Sequence, residues 1–243
     1  MANEKALYAQ QWEDSASFFY DNSEYNWMGN HIRHYKKVLE IGCGTGQSTL
    51  ALLQMGHTVV AIEKNEYCLN KAKELIVTNE LSYSETAPAD VIFLENDIAD
   101  RDFLNTIDKL DYDVVICWNV GSYWSKSMFE FYLPFMVDYG LSLEQIKANP
   151  ESSYGEYIQW QAGKIAQHKA VPYHIIDRGM YQINETNDPY FAVLKRELGY
   201  KNIAYANKET TSKSGGGRLL TVEQEVCKNE TIKLFFNSVL MTL

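Results

Sequence analysis

Three glycines on alternate positions, Gly42, Gly44 and Gly46, join a short apolar run to a helix-forming one in VLEIGCGTGQSTLALL, residues 38–53. Val38 to Ile41 reads as a buried strand with an acid, Glu40, inside it. Thr49 to Met55 reads as a helix closed by Gly56, and Thr58 to Ile62 as a second strand of β-branched and small residues. Glycines at such a junction let the backbone turn tightly and approach a ligand without Cβ interference, and they aim the first helical amides at an anionic group. The unit is therefore βαβ, and strands joined by helices imply a parallel sheet covered on both faces.

The alternation continues. Asn65 can cap a helix that places Cys68, Ala72, Leu75 and Ile76 on one face; Val91 to Leu94, Asp113 to Cys117 and Val171 to Ile176 read as further strands. Asp188-Pro189 opens a helix carrying Phe191, Leu194 and Leu198, stopped by Gly199. Asn202 to Asn207, the stretch SKSGGG and then RLLTVEQEV read as an antiparallel hairpin, with Ile232 to Leu240 a further strand. The expected architecture is a doubly wound α/β fold with a mostly parallel seven-stranded sheet and a C-terminal antiparallel hairpin. Two aromatic-rich helical caps, residues 1–35 and 123–170, stand outside the alternation. With 243 residues and 46% hydrophobic content, one elaborated domain over 1–243 is expected.

Composition narrows the function. A formal charge of -10 repels a phosphate backbone, which argues against nucleic acid. Cys43, Cys68, Cys117 and Cys227 are scattered without a C-x-x-C pair, so neither a disulfide framework nor a zinc site is signalled. The polar, acidic start lacks the form of a signal peptide, and no run is apolar enough to span a bilayer. A soluble cytoplasmic protein without membrane partners is the expectation.

What the glycine loop holds can be read by elimination. A G-x-G-x-x-G fingerprint beginning at Gly42 fails at Gln47, and one beginning at Gly44 fails at Thr49; no Gly-Lys-Ser/Thr marks a P-loop. There remains E-x-G-x-G-x-G from Glu40 to Gly46, and here the chain resembles the class I S-adenosylmethionine (SAM) methyltransferases. The resemblance covers residues 38 to 123. It implies SAM as cofactor, held by Glu40, Gly42, Gly44 and Gly46. It places Glu63, at the end of the second strand, on the ribose hydroxyls, and Asp97 in FLENDIAD on the adenine amino group beside Ile98. Asn119, after the fourth strand, would border the sulfonium.

Transfer of a methyl from positive sulfur needs alignment and exclusion of water more than a protein nucleophile, so no catalytic residue is assigned. His168 and His174 are the weighed general bases, and His31 with His34 is a weak metal pair; no metal is expected. Asn119-Val120-Gly121 lacks the Pro-Pro-aromatic continuation of amide-nitrogen enzymes. Cys117 lacks the cytosine-C5 setting, the paired glutamates of arginine methyltransferases are missing, and Trp118-Asn119 stands where a magnesium-dependent catechol enzyme would want an acid. A small-molecule nitrogen or oxygen acceptor remains, with Tyr20, Tyr25, Trp27, Tyr123 and Trp124 as its expected wall. Two rivals are a SAM-consuming cyclase or lyase on the same fold and a non-catalytic SAM-binding module or partner subunit.

Overall fold

Side chains alternate along β1 (Lys37–Ile41) between two cores, Leu39 and Ile41 facing one and Val38 the other. β2 (Thr58–Glu63) and β5 (Val114–Trp118) divide in the same way, Val60, Ile62, Val115 and Cys117 against Val59, Ala61, Val114 and Ile116. The computed structural model, which describes residues 2–86, 89–120, 125–188, 190–212 and 232–243, thus buries its central strands on both faces. One face is covered by α5 (Arg101–Ile107), α6 (Lys126–Tyr139), α7 (Leu143–Ala148), α8 (Pro150–Lys169) and α9 (Tyr190–Glu197). The other is covered by α1 (Ala2–Asp21), α2 (Glu24–Asn30), α3 (Gln47–Gln54) and α4 (Glu66–Thr78). Asn65 caps α4 as expected, its side chain accepting from the Tyr67 amide at 3.1 Å.

The remaining strands are β3 (Tyr83–Ser84), β4 (Val91–Glu95), β6 (Tyr173–Gly179), β7 (Asn202–Ser212) and β8 (Ile232–Thr242), and the sheet order is β3-β4-β2-β1-β5-β6-β8-β7. All pairings from β3 to β6 are parallel, and β8 lies antiparallel between β6 and β7. The sheet has eight strands among the described residues where seven were expected, the addition being the two-residue β3 at one edge. β7 pairs antiparallel with β8; the RLLTVEQEV segment, expected in that hairpin, lies outside the described residues. Pairing in this register lets Val239 and Met241 reach the core, a gain that hairpin spacing alone does not reveal.

From β1 the chain winds outward through β2 to β4, then returns to the other side of β1 as β5. The order reverses between β1 and β5, and the crevice outside the carboxyl ends of strands at such a switch point is where open α/β sheets bind ligands.

Candidate functional site

The loop after β1 turns on left-handed backbone at Gly42 (φ 76°), Gly44 (φ 55°) and Gly46 (φ 92°). Space as well as torsion excludes a side chain here. A Cβ on Gly42 would stand 2.9 Å from Val120 Cγ2, and one on Gly44 only 2.2 Å from the indole nitrogen of Trp12. The same loop is clamped to β2. The Gly44 amide donates to Glu63 Oε2 at 2.9 Å, while the Asn65 amide donates to Glu63 Oε1 at 2.8 Å. Burial raises the Glu63 carboxyl from its ordinary range, and these amide donors oppose the shift.

Beside this clamp opens a half-open cleft, about 660 Å³ of empty space when its mouth to solvent is counted. Gly42, Gly44, Glu63, Asp97, Ile98 and Asn119 all line it. Asp97 follows β4, with Oδ1 accepting from the Ala99 amide at 2.9 Å and Oδ2 from the Tyr132 hydroxyl. Asn119 follows β5 with φ 55°, is 5% exposed, and neither atom of its amide has a hydrogen-bond partner among the described residues. Orphaning a buried amide costs on the order of 1–3 kcal/mol, and left-handed backbone at a non-glycine residue adds to it. Such a residue is poised for a ligand.

Other expected residues lie elsewhere. Glu40 stands behind the loop, 1% exposed, accepting from the hydroxyls of Ser48 and Thr49; burial lifts its carboxyl to about 7. Gly46 packs against the Ala72 backbone of α4. Tyr20, Tyr25 and Trp27 do not line the cavity. Tyr20 donates to Gln54 at 2.7 Å, Tyr25 is buried edge-on to Phe19, and Trp27 meets the His31 ring at 4.7 Å, all in the core layer of α1 to α4. Their helices turn these rings inward to pack, which aromatic density alone does not reveal. Tyr123 and Trp124 lie outside the described residues. The aromatic walls come instead from Tyr8 and Trp12 on α1 and Tyr154 on α8, with Lys64 and Ile158 completing them. The i, i+4 spacing of Tyr8 and Trp12 marks one helical face, a signal within reach of the sequence.

With this geometry in place, similarity to known proteins decides the class: the methyltransferase-domain family matches residues 38–133, from β1 into α6. Residues 38–133 are a methyltransferase domain. The match bears out the class I resemblance drawn from the glycine loop. The fold is shared with a candidate RNA methyltransferase from Pyrococcus horikoshii, at 14% identity and TM-score 0.51, over 91% of this chain and 83% of that one. The chain is also similar to the N-terminal domain of EvdMO1 with S-adenosylhomocysteine (SAH) bound (14% identity, TM-score 0.49, 90% and 79% of the two chains). A third likeness is to magnesium protoporphyrin IX methyltransferase from Synechocystis with SAM bound (13%, TM-score 0.44, 90% and 76%). No curated protein matches in sequence. No helix among the described residues is long and apolar enough to cross a membrane.

Neither His168 nor His174 lines this cavity. His168 is exposed on α8, 3.3 Å from Asp108. His174 is fully buried in β6, Nδ1 accepting from the Trp118 indole at 3.0 Å and Nε2 paired with Ser238 Oγ at 2.8 Å. Burial, aided by nearby His31, pushes His174 down to about 3. An unfolded imidazole titrates near 6.5, so between these values the unfolded chain binds a proton that the folded chain refuses. Stability therefore falls as pH drops from about 6.5 toward 3, by up to about 1.4 kcal/mol per unit from this group. Urea unfolding of wild type and His174→Gln at pH 7, 6 and 5 should give the shallower pH slope in the variant; equal slopes would remove His174 as the cause.

Proposed function

We propose that this methyltransferase takes SAM as its methyl donor and delivers the methyl to a nitrogen or oxygen of a small-molecule acceptor. The observation that carries the reading is that a single cavity gathers the glycine loop, Glu63, Asp97 with Ile98, and Asn119, contributed by four separate strand ends. The residues fit the donor on two features of this chain: a glycine loop whose Gly42 and Gly44 bring bare backbone to the cavity wall, and an orphaned side-chain amide at Asn119. Bound SAM would supply a methyl on positively charged sulfur, which the acceptor's lone pair takes in line while the C–S bond pair returns to sulfur and SAH leaves. Glu63 offers two carboxylate oxygens to a ribose diol, and Asp97 accepts from the adenine amino group while Ile98 packs beside the ring. The glycine loop presents its backbone to the methionine portion along the cavity wall. Asn119 offers one donor and one acceptor where donor and acceptor molecules meet. Tyr8, Trp12 and Tyr154 exclude water and give an acceptor flat apolar surface.

Calorimetry with SAH is expected to show one site per chain; no binding would reject the donor. Tritiated-methyl SAM should then label a low-molecular-weight extract. Label in total RNA, the acceptor named in the description of the Pyrococcus protein as an RNA methyltransferase, would overturn the small-molecule reading. Consumption of SAM without any acceptor would point to a cyclase or lyase, and binding without turnover to a non-catalytic module.

A further inference from the structure

Against Asp97, in the cavity wall, lies a polar cluster whose Lys64 and Tyr132 have been given no chemical role so far. Tyr132 of α6 donates its hydroxyl to Asp97 Oδ2, Lys64 Nζ donates to Tyr132 Oη at 2.9 Å, and Lys64 also donates to Tyr154 Oη at 2.5 Å. The ammonium lies 4.4 Å and 4.5 Å from the centroids of those two tyrosine rings. We propose that Tyr132 and Lys64 are positioning residues acting through Asp97, and that together they make the cavity select a nucleobase bearing an exocyclic amino group. The inference rests on the donor reading above and deepens it.

The chemistry follows from proton inventory. An ammonium carries donors and no acceptor, so Tyr132 can only accept from Lys64 and must spend its one proton on Asp97. The Ala99 amide fixes the other carboxylate oxygen. With one donor on each oxygen the carboxylate cannot swivel, and each oxygen keeps a lone pair for a ligand. A carboxylate fixed in this way accepts from an amino group and repels the oxygen of a 6-oxo base. Burial lowers Lys64 to about 8, opposed by Asp97 and Glu63, so the cluster keeps its cation at neutral pH. Glu63 and Glu95 are register partners on adjacent parallel strands, so a nucleoside whose ribose meets Glu63 has its base within reach of Asp97, two residues beyond Glu95.

A purely structural cluster would affect all nucleosides alike, and this separates the two roles. The test compares SAH with S-inosylhomocysteine, which carries a 6-oxo group in place of the amine, by calorimetry on wild type, Tyr132→Phe and Lys64→Met. Wild type is expected to favour SAH by about tenfold or more, as for a hydrogen bond to a charged group. Both variants should bring the ratio to within about threefold by weakening SAH selectively. Tyr132→Phe keeps the ring and its packing, and Lys64→Met leaves both tyrosine hydroxyls in place, so either variant suffices if the other fails to fold. A ratio unchanged in the variants, or a wild type indifferent to the two ligands, overturns the proposal. Failure of wild type to bind either ligand rejects the donor reading first, a distinguishable result that takes this proposal with it.

Discussion

Gly44→Val is expected to abolish SAH binding in calorimetry while the circular dichroism spectrum keeps its α/β form. Gly44 combines φ 55° with a neighbour 2.2 Å from where a Cβ would stand. A β-branched side chain in left-handed backbone costs on the order of 1–3 kcal/mol before any contact is counted. The contact is with the Trp12 indole, so α1 must shift or the loop must distort, and distortion breaks the Gly44 amide bond to Glu63. Either response reshapes the cavity at the glycine loop. Wild-type affinity in this variant would remove the loop from the site.

Replacing Glu63 by Ala should weaken SAH by about 1–3 kcal/mol, roughly fivefold to 160-fold in Kd, the range for hydrogen bonds to a charged group. The structure adds a second reason for a large effect. Both oxygens of Glu63 already accept backbone amides, from Gly44 and Asn65, and Ala leaves those amides without their partner. Glu63→Gln supplies one acceptor and one donor, so it can satisfy one amide while its NH2 opposes the other. Its affinity should fall between those of wild type and Glu63→Ala. If both variants bind SAH as wild type does, Glu63 is no part of a ribose site.

The parts of the site that were legible in the sequence are those where one residue type answers a local constraint. Glycines at 42, 44 and 46 answer left-handed torsions, and Glu63 and Asp97 sit at fixed distances from strand ends that hydrophobic patterning reveals. Asn65 announced its helix because capping is local. Lys64, Tyr132 and Tyr154 were not legible, since α6 and α8 meet the end of β2 only through tertiary packing, and no spacing in the chain encodes that meeting. The assignment of Tyr20, Tyr25 and Trp27 to an acceptor wall went astray for a related reason. Tyr25 and Met28, three residues apart on α2, are both buried, as is Ile32 just past the helix end, which is the pattern of a core-facing segment. Aromatic content signalled an apolar surface without saying which layer would receive it. His174 illustrates the same limit: its partners Trp118 and Ser238 come from the two strands that flank β6, and the distance between them along the chain conceals their contact.

The place of β8 between β6 and β7 bears on how the chain is made. β8 pairs Asp177 with Asn237 on one side and Ile203 with Met241 on the other, so both neighbours leave the ribosome before the strand that joins them. Through that interval β6 has an open edge, with Tyr173, Ile175 and Ile176 lacking part of their cover, and β7 has no sheet to join. The βαβ half, which carries the glycine loop, Glu63 and Asp97, closes through contacts nearer in sequence and can assemble during synthesis. Vectorial synthesis thus completes the half bearing the glycine loop first and leaves β6 and β7 unjoined until β8 is made.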